Sequence, residues 1–233
     1  GLGIAVYQRV LNQRLQRLST TDALTGLLNR RAAAARIQQL SADQQANADR
    51  RHVMLLIDID HFKQLNDRAG HAAGDRVLVE VARRLRACCR PDDVVARWGG
   101  EEFLIACAPM SLTQASAFAE RIRAGIASLD AQDTPLKITM TASVGFSCWP
   151  FLPGADPTRS GDWQDALSLA DRAMYAAKHA GRNAWVGLWG KANARCSLQE
   201  ALDVPQHGVA AGDIEVAASL RIAAWQPAPA RAA

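Results

Sequence analysis

Val94-Val-Ala-Arg-Trp-Gly-Gly-Glu-Glu-Phe-Leu-Ile-Ala-Cys107 is the stretch on which the fold turns. Two short strand-like runs, 94–98 and 103–107, flank Gly99-Gly100, and glycine accepts the positive φ that a tight turn demands. The pattern predicts a β-hairpin with two acids, Glu101 and Glu102, directly after its turn. Upstream, 52–58 is another β-run, with Val-Met-Leu-Leu-Ile at its centre, and it too ends on an acid, Asp58. Downstream, 138–149 is rich in β-branched and aromatic residues, and 183–189 reads as a last strand.

Helical patterns fill the intervals at 29–40, 60–68, 75–89, 112–128 and 163–180, the last stopped by Gly181. Gly70-His-Ala-Ala-Gly74 separates the second from the third. From residue 52 the order is β-α-α-β-β-α-β-α-β, which predicts an α+β domain with a mixed sheet and flanking helices. Residues 41–49 form a polar loop and 150–161 a Pro/Gly loop. At the front, Ile4, Leu11 and Leu18 recur every seven residues beside Val10 and Leu15. That stripe suits a short coiled coil or a helix docked on its own domain. Ser19-Thr20-Thr21-Asp22 then offers helix-capping residues and marks a boundary. Beyond 190 the chain is Ala-rich, carries Pro205, Pro227 and Pro229, and holds no sustained periodicity. The expected organisation is therefore an N-terminal signalling helix (1–18), one domain (19–189) and a partly disordered tail (190–233).

Composition narrows the class. The chain has 233 residues, 49% of them hydrophobic and 21% charged, ordinary globular usage that excludes a disordered or collagen-like protein. A net charge of +4 favours anionic partners such as nucleotides, nucleic acid or a membrane surface. The apolar run 53–57 is far too short to span a bilayer, and no signal-peptide pattern opens the sequence. Five cysteines form no C-x-x-C pair, as in a reduced, cytosolic protein.

Three groups of residues could carry chemistry. Acids beside core strands need a reason, because burying a charge is costly unless it is paired or metal-bound. Magnesium supplies one for Asp58, Glu101 and Glu102, being held by one or two carboxylates plus phosphate oxygens. A solvent-facing hairpin with ordinary surface acids fits the same spacing. Asn66, His71 and Asp75 lie around the Gly70–Gly74 turn. A carboxylate accepts from both N–H groups on guanine's pairing edge and would reject adenine, whereas Asp75 after Gly74 also suits a helix start. Lys178 and Arg182, four apart, suit phosphate or simply a helix C-terminus, and Lys63 is open to both uses.

In combination the motifs say more. Asp22-Ala-Leu-Thr-Gly-Leu-Leu-Asn-Arg30, Asp58-Ile-Asp-His-Phe-Lys-Gln-Leu-Asn66, Gly70-His-Ala-Ala-Gly-Asp75, Arg97-Trp-Gly-Gly-Glu-Glu-Phe103 and Ala177-Lys-His-Ala-Gly-Arg-Asn183 follow one another in order. The chain over 19–189 resembles the GGDEF family of diguanylate cyclases, in its GGEEF spelling. The resemblance implies a fold like the palm of nucleotide cyclases, with a mainly antiparallel sheet. It also implies the reaction 2 GTP → cyclic di-GMP + 2 pyrophosphate, run by two domains facing each other as a homodimer. Asp58, the Ile59 carbonyl and Glu101 are similar to the family's ligands for Mg2+ or Mn2+, and Glu101 also to its proposed base. Lys63 resembles the residue that stabilises phosphate charge, and Glu102 the second acid of the signature. Asn66 and Asp75 resemble the guanine readers, His71 a substrate contact, Gly99 and Gly100 the turn that admits substrate, and Lys178 and Arg182 the triphosphate contacts.

Five residues separate Arg90-Pro-Asp-Asp93 from the glycine that opens the turn. In the family this placement resembles the inhibitory site for the product, with Arg121 as a helper; Pro91-Asp92 is also good turn chemistry on its own. Two other readings remain. A catalytically silent cyclic di-GMP receptor would fit Arg90 and Asp93, though such proteins usually carry a damaged signature. An arginine-rich nucleic-acid binder rests on charge alone and lacks a helix-turn-helix or zinc pattern, so no nucleic-acid partner is expected. The expected setting is the cytoplasmic domain of a bacterial protein with an upstream sensor or inner-membrane region.

Overall fold

Every residue of the strand Arg51–Ile59 (β2) is buried, which only a central strand covered on both faces can achieve. The computed structural model describes residues 20–40, 49–129, 140–153 and 160–219. Before β2 come the two-residue strand β1 (Leu28–Asn29) and helix α1 (Arg30–Leu40). After it follow α2 (Phe62–Ala69), α3 (His71–Cys88), the hairpin β3 (Val94–Arg97) and β4 (Glu102–Met110), and α4 (Leu112–Ala127). Then come β5 (Ala142–Trp149), α5 (Trp163–His179), β6 (Trp185–Gly190), α6 (Leu198–Asp203), α7 (Pro205–Ala210) and β7 (Ile214–Ala218).

One sheet runs in the order β1-β3-β4-β2-β5-β6-β7. Its β1–β3 and β5–β6 pairs are parallel and the rest antiparallel, so the sheet is mixed and mainly antiparallel. The period of two along β2 sorts its side chains between two layers. Val53, Leu55, Ile57 and Ile59 pack with Val77, Val81 and Leu85 of α3 and Phe118 and Ile122 of α4. Met54 and Leu56 pack with Ile37 of α1 and Ala166, Ala170 and Met174 of α5. Asp58 belongs to that second, even-numbered row, so the alternation that builds the core also turns its carboxylate toward α5.

Gly145 fixes how close α5 comes. It lies in β5 opposite Leu56 of β2, and a Cβ there would lie 2.0 Å from the Ala170 carbonyl and 2.1 Å from the Met174 nitrogen. The helix backbone rests directly on the strand, and only glycine permits that contact.

Two expectations change. The segment read as a tail carries α6, α7 and β7 up to Ala218, and β7 pairs antiparallel with β6 from Gly190–Ile214 to Val186–Ala218. Its elements are too short to show periodicity, but its two helices each have a local start signal. Ser197 and Glu200 form a reciprocal capping box, and Pro205 opens α7. The break between α2 and α3 is also narrower than read. Gly70 alone breaks the chain, with φ 79°, and α3 begins at His71. Gly74 lies inside that helix because its missing side chain leaves room for Asn66. The two-residue β1 is not among the expected elements; the remaining helices and strands fall within a few residues of their expected places. All five cysteines are free thiols, and burial pushes Cys148 up to about 12. The expected helix over 1–18 and the end of the expected tail, 220–233, lie outside the described residues.

Gly145→Ala should destabilise the protein by about 3 kcal/mol or more, because backbone on both sides of the contact cannot rotate away. Chemical denaturation of the variant checks this, with a loss below about 1 kcal/mol contradicting the packing.

Candidate active site

The antiparallel order brings four segments to one end of the sheet: the end of β2, the β3–β4 turn, the start of β5 and the turn between α5 and β6. Asp58 sits there, 5% exposed, opposite Glu102 on one side and Ser143 on the other. Its carboxylate accepts from Lys178 Nζ at 2.7 Å. Lys178 is one helical turn beyond Met174, so the close seating of α5 over Gly145 brings it within reach.

Burial raises the pKa of Asp58, the Lys178 hydrogen bond and charge pull it down, and Glu101 and Glu102 push it up again, for a net value of about 6. A carboxylate this expensive to ionise is a sink for positive charge. One lysine only partly meets the demand.

The hairpin tip is braced from behind. The Arg97 guanidinium donates to the Gly100 carbonyl at 2.7 and 3.1 Å and to Asp22 at 3.3 Å. Asp22 also accepts from the Thr25 hydroxyl and amide, and these bonds outweigh its burial and hold it below the usual carboxylate range. Glu101 is half-buried, and its carbonyl accepts from the Ile59 N–H at 3.3 Å, which sets it beside the end of β2. A Cβ on Gly99 would meet the Glu102 carboxylate at 2.7 Å, so that acid folds back over the turn. Gly100 has nothing within 4 Å of where a Cβ would stand, which leaves the tip open to a ligand.

On α2, Lys63 is exposed and Asn66 half-buried. The Asn66 side chain lies against Gly74 of α3, where an added Cβ would come within 2.0 Å of its Oδ1. That oxygen is buried against Gly74 and has no hydrogen-bond partner among the described residues. Asp75 is exposed in the second turn of α3, beyond the capping position held by Gly70, so the helix-cap reading does not hold. His71, the first residue of α3, is exposed. Arg182 is exposed in the left-handed turn after α5, with φ 65°.

A divalent cation fits the set at the end of β2. Its donors are hard oxygens, and the buried carboxylate already draws a cation. Among the described residues no cluster of three or more His, Cys, Asp or Glu could hold a metal alone. Two carboxylates and a carbonyl, completed by phosphate oxygens, suit magnesium.

Arg90, Asp93 and Arg121 surround one cleft of about 240 Å³ with Arg50, Gln114 and Phe118. Asp93 is 8% exposed and accepts from the Arg90 N–H at 2.8 Å, so it also closes its own turn. Arg121 lies over the Phe118 ring and donates to the Cys88 carbonyl at 2.9 Å. The sequence reading missed Arg97 and Asp22 as bracing groups, although both stand inside its quoted motifs, and it missed Asp60.

The family model for the GGDEF domain of diguanylate cyclases matches residues 19–184. The chain belongs to the GGDEF family. Diguanylate cyclase A of Treponema denticola is 36% identical over 177 residues, covering 74% of this chain and 45% of that protein. The probable diguanylate cyclase DgcC of Escherichia coli is 37% identical over 171 residues, covering 73% of this chain and 44% of that protein. The chain thus spans under half the length of these curated relatives. Among solved structures, the diguanylate cyclase SiaD of Pseudomonas aeruginosa, in complex with its activator SiaC, matches with TM-score 0.61 and 35% identity over 77% of this chain and 66% of that one. The coiled coil and GGDEF domain of DgcB from Caulobacter crescentus, in complex with c-di-GMP, matches with TM-score 0.61 and 28% identity over 78% of this chain and 92% of that one. The α+β fold is that of the family. The match ends at 184, so β6, α6, α7 and β7 lie outside it. Among the described residues no helix is long and apolar enough to cross a membrane.

Asp58→Asn should stabilise the domain in a pH-dependent way when divalent cations and nucleotide are left out. Below pH 3.8 the wild-type carboxyl is protonated in both folded and unfolded states and costs nothing. As pH rises to about 6 the unfolded state gives up the proton first, so wild-type stability falls. The asparagine variant should gain up to about 3 kcal/mol at neutral pH and nothing at pH 3, as read from denaturation curves. An equal gain at both pH values would contradict the buried charge.

Proposed function

We propose that this GGDEF domain is a working diguanylate cyclase, condensing two GTP into cyclic di-GMP with release of two pyrophosphates. The observation that carries the reading is Asp58. The fold pays to keep a carboxylate in its core at the open end of the sheet, beside a glycine turn that admits a ligand.

Asp58, Glu101 and the Ile59 carbonyl would hold Mg2+ or Mn2+, which when bound neutralises phosphate oxygens and lowers the pKa of a coordinated hydroxyl. Lys178 is then released from Asp58 and, with Arg182, takes the triphosphate, while Lys63 offsets charge on the phosphates. The half-buried Asn66 side chain reads a guanine edge, and Asp75 accepts from the pair of N–H groups on its pairing edge. Adenine presents a bare acceptor there and is refused. His71 borders the nucleotide at the start of α3. Glu101 takes the proton of the attacking 3′-hydroxyl, and the new oxygen–phosphorus bond forms as the α–β phosphate bond breaks. Glu102 keeps the turn closed over Gly99 and adds negative charge near Asp58.

One domain holds one GTP, so the attacking hydroxyl must come from a second copy facing the first. Homodimerisation is therefore part of the mechanism. The cleft between Arg90, Asp93 and Arg121 suits the product, since an arginine fork pairs bidentately with a guanine edge or a phosphate. Product held there keeps the two active halves apart and limits synthesis. The setting is a cytoplasmic domain governed by an upstream sensor or membrane region.

The test is to incubate the purified protein with GTP and Mg2+ at high protein concentration and chromatograph the products. Wild type should yield cyclic di-GMP and pyrophosphate in a one-to-two ratio. Glu101→Ala should lose activity by about a hundredfold or more while staying folded. Arg90→Ala should start at the wild-type rate but accumulate more product before its progress curve flattens. GTP binding without product in wild type would make the domain a silent receptor, and full activity in Glu101→Ala would remove Glu101 from the chemistry.

A further inference from the structure

Asp60 is 8% exposed and lies two residues past Asp58, yet none of the roles above uses it. Its Oδ1 accepts from the Ser143 hydroxyl at 2.7 Å. Its Oδ2 accepts from the Thr141 hydroxyl at 2.7 Å and from the Asn183 backbone N–H at 2.9 Å. The Asp60 amide in turn donates to the Thr141 carbonyl at 2.9 Å. Among the described residues it makes no ion pair with Lys, Arg or His. A buried carboxylate is thus held entirely by neutral donors, one of which belongs to a distant turn.

That turn is unusual. Gly181, Arg182 and Asn183 have φ of 119°, 65° and 44°, placing two side-chain-bearing residues in succession in the left-handed region. The only other non-glycine residue with positive φ among those described is His61, at 58°, directly after Asp60. All the left-handed side-chain-bearing residues therefore flank the one contact between Asp60 and Asn183. Such backbone persists only where surrounding contacts over-determine it, and it concentrates at functional sites. The His61 turn launches α2, which carries Lys63 and Asn66. The other carries Arg182. The Asn183 side chain is held as well, accepting from Arg123 Nη1 at 2.7 Å.

We infer that Asp60 is a positioning residue: its carboxylate clamps the Gly181–Asn183 turn to the end of β2 and so fixes the backbone from which Arg182 reaches the triphosphate. The inference rests on the reading of Arg182 as a phosphate contact. It requires the shape and acceptors of Asp60 rather than its charge. An asparagine can replace it, because its oxygen can hold the Asn183 N–H while its amide donates to a Ser143 hydroxyl turned to accept. If Asp60 instead served the metal, asparagine would fail.

The experiment combines amide hydrogen exchange with GTP binding measured calorimetrically in Mg2+. In wild type the Asn183 amide, though its residue is exposed, should exchange about a hundredfold more slowly than free peptide. Asp60→Ala should abolish that protection and weaken GTP binding about tenfold. Asp60→Asn should keep the protection and bind within about threefold of wild type. In an Arg182→Ala background, Asp60→Ala should cost less than about twofold more, because both changes remove the same contact. Multiplying effects of the two substitutions, an Asp60→Asn as weak as Asp60→Ala, or an unprotected Asn183 amide in wild type would each overturn the inference. If Asp60→Ala does not fold, Asp60→Asn and wild-type exchange decide alone. If wild type binds no GTP, the proposed function fails, while the exchange data still judge the clamp.

Discussion

A carboxylate held in the core layer of the sheet is the constraint on which the rest depends. Asp58 occupies a position that the alternation of β2 assigns to the interior, in the same row as Met54 and Leu56. Filling that place with an apolar side chain would be the stable choice. Keeping an acid there makes the end of β2 cation-seeking, and the neighbouring elements serve that end. Gly145 lets α5 settle on β5 so that Lys178 reaches the carboxylate. Arg97 and Asp22 stiffen the turn that carries Glu101.

In the proposed function the lysine is a resident cation that the metal would displace. Its ion pair with Asp58 offsets part of the burial cost of that carboxylate, and under the proposed function its release would hand a positive charge to the incoming phosphates. Asn66 also keeps a buried oxygen without a partner among the described residues. The clamp at Asp60 shows the complementary pattern, a fully satisfied carboxylate whose work is to hold strained backbone still.

Much of this was legible in the residues alone. The Gly-Gly turn, the apolar run ending on Asp58 and the helix that carries Lys178 are local patterns and appear close to their expected places. Neither Gly99 nor Gly100, however, takes the positive φ expected of it; Gly99 is required instead by the Glu102 carboxylate folded over it. The site emerged from the order of five motifs, because no single acid or base in it differs locally from a surface residue. What stayed hidden depends on tertiary context. Gly74 reads as a turn until Asn66 is seen to need its space. Asp60 reads as an ordinary acid, because its partners Thr141, Ser143 and Asn183 are 81, 83 and 123 residues away. The strand β7 is short and weakly patterned, and it is held by pairing with β6 rather than by its own propensity. The capping box at Ser197 and the proline at 205 signal only the two helices before it, α6 and α7.

The most direct measurement is the titration of the Asp58 carboxyl, followed by carbon-13 NMR with and without Mg2+ and GTP. A buried acid poised for a cation should titrate near 6 in the free domain and shift to markedly lower pH when both are added. A midpoint near the ordinary 3.8 that ignores magnesium and nucleotide would contradict the account at its base.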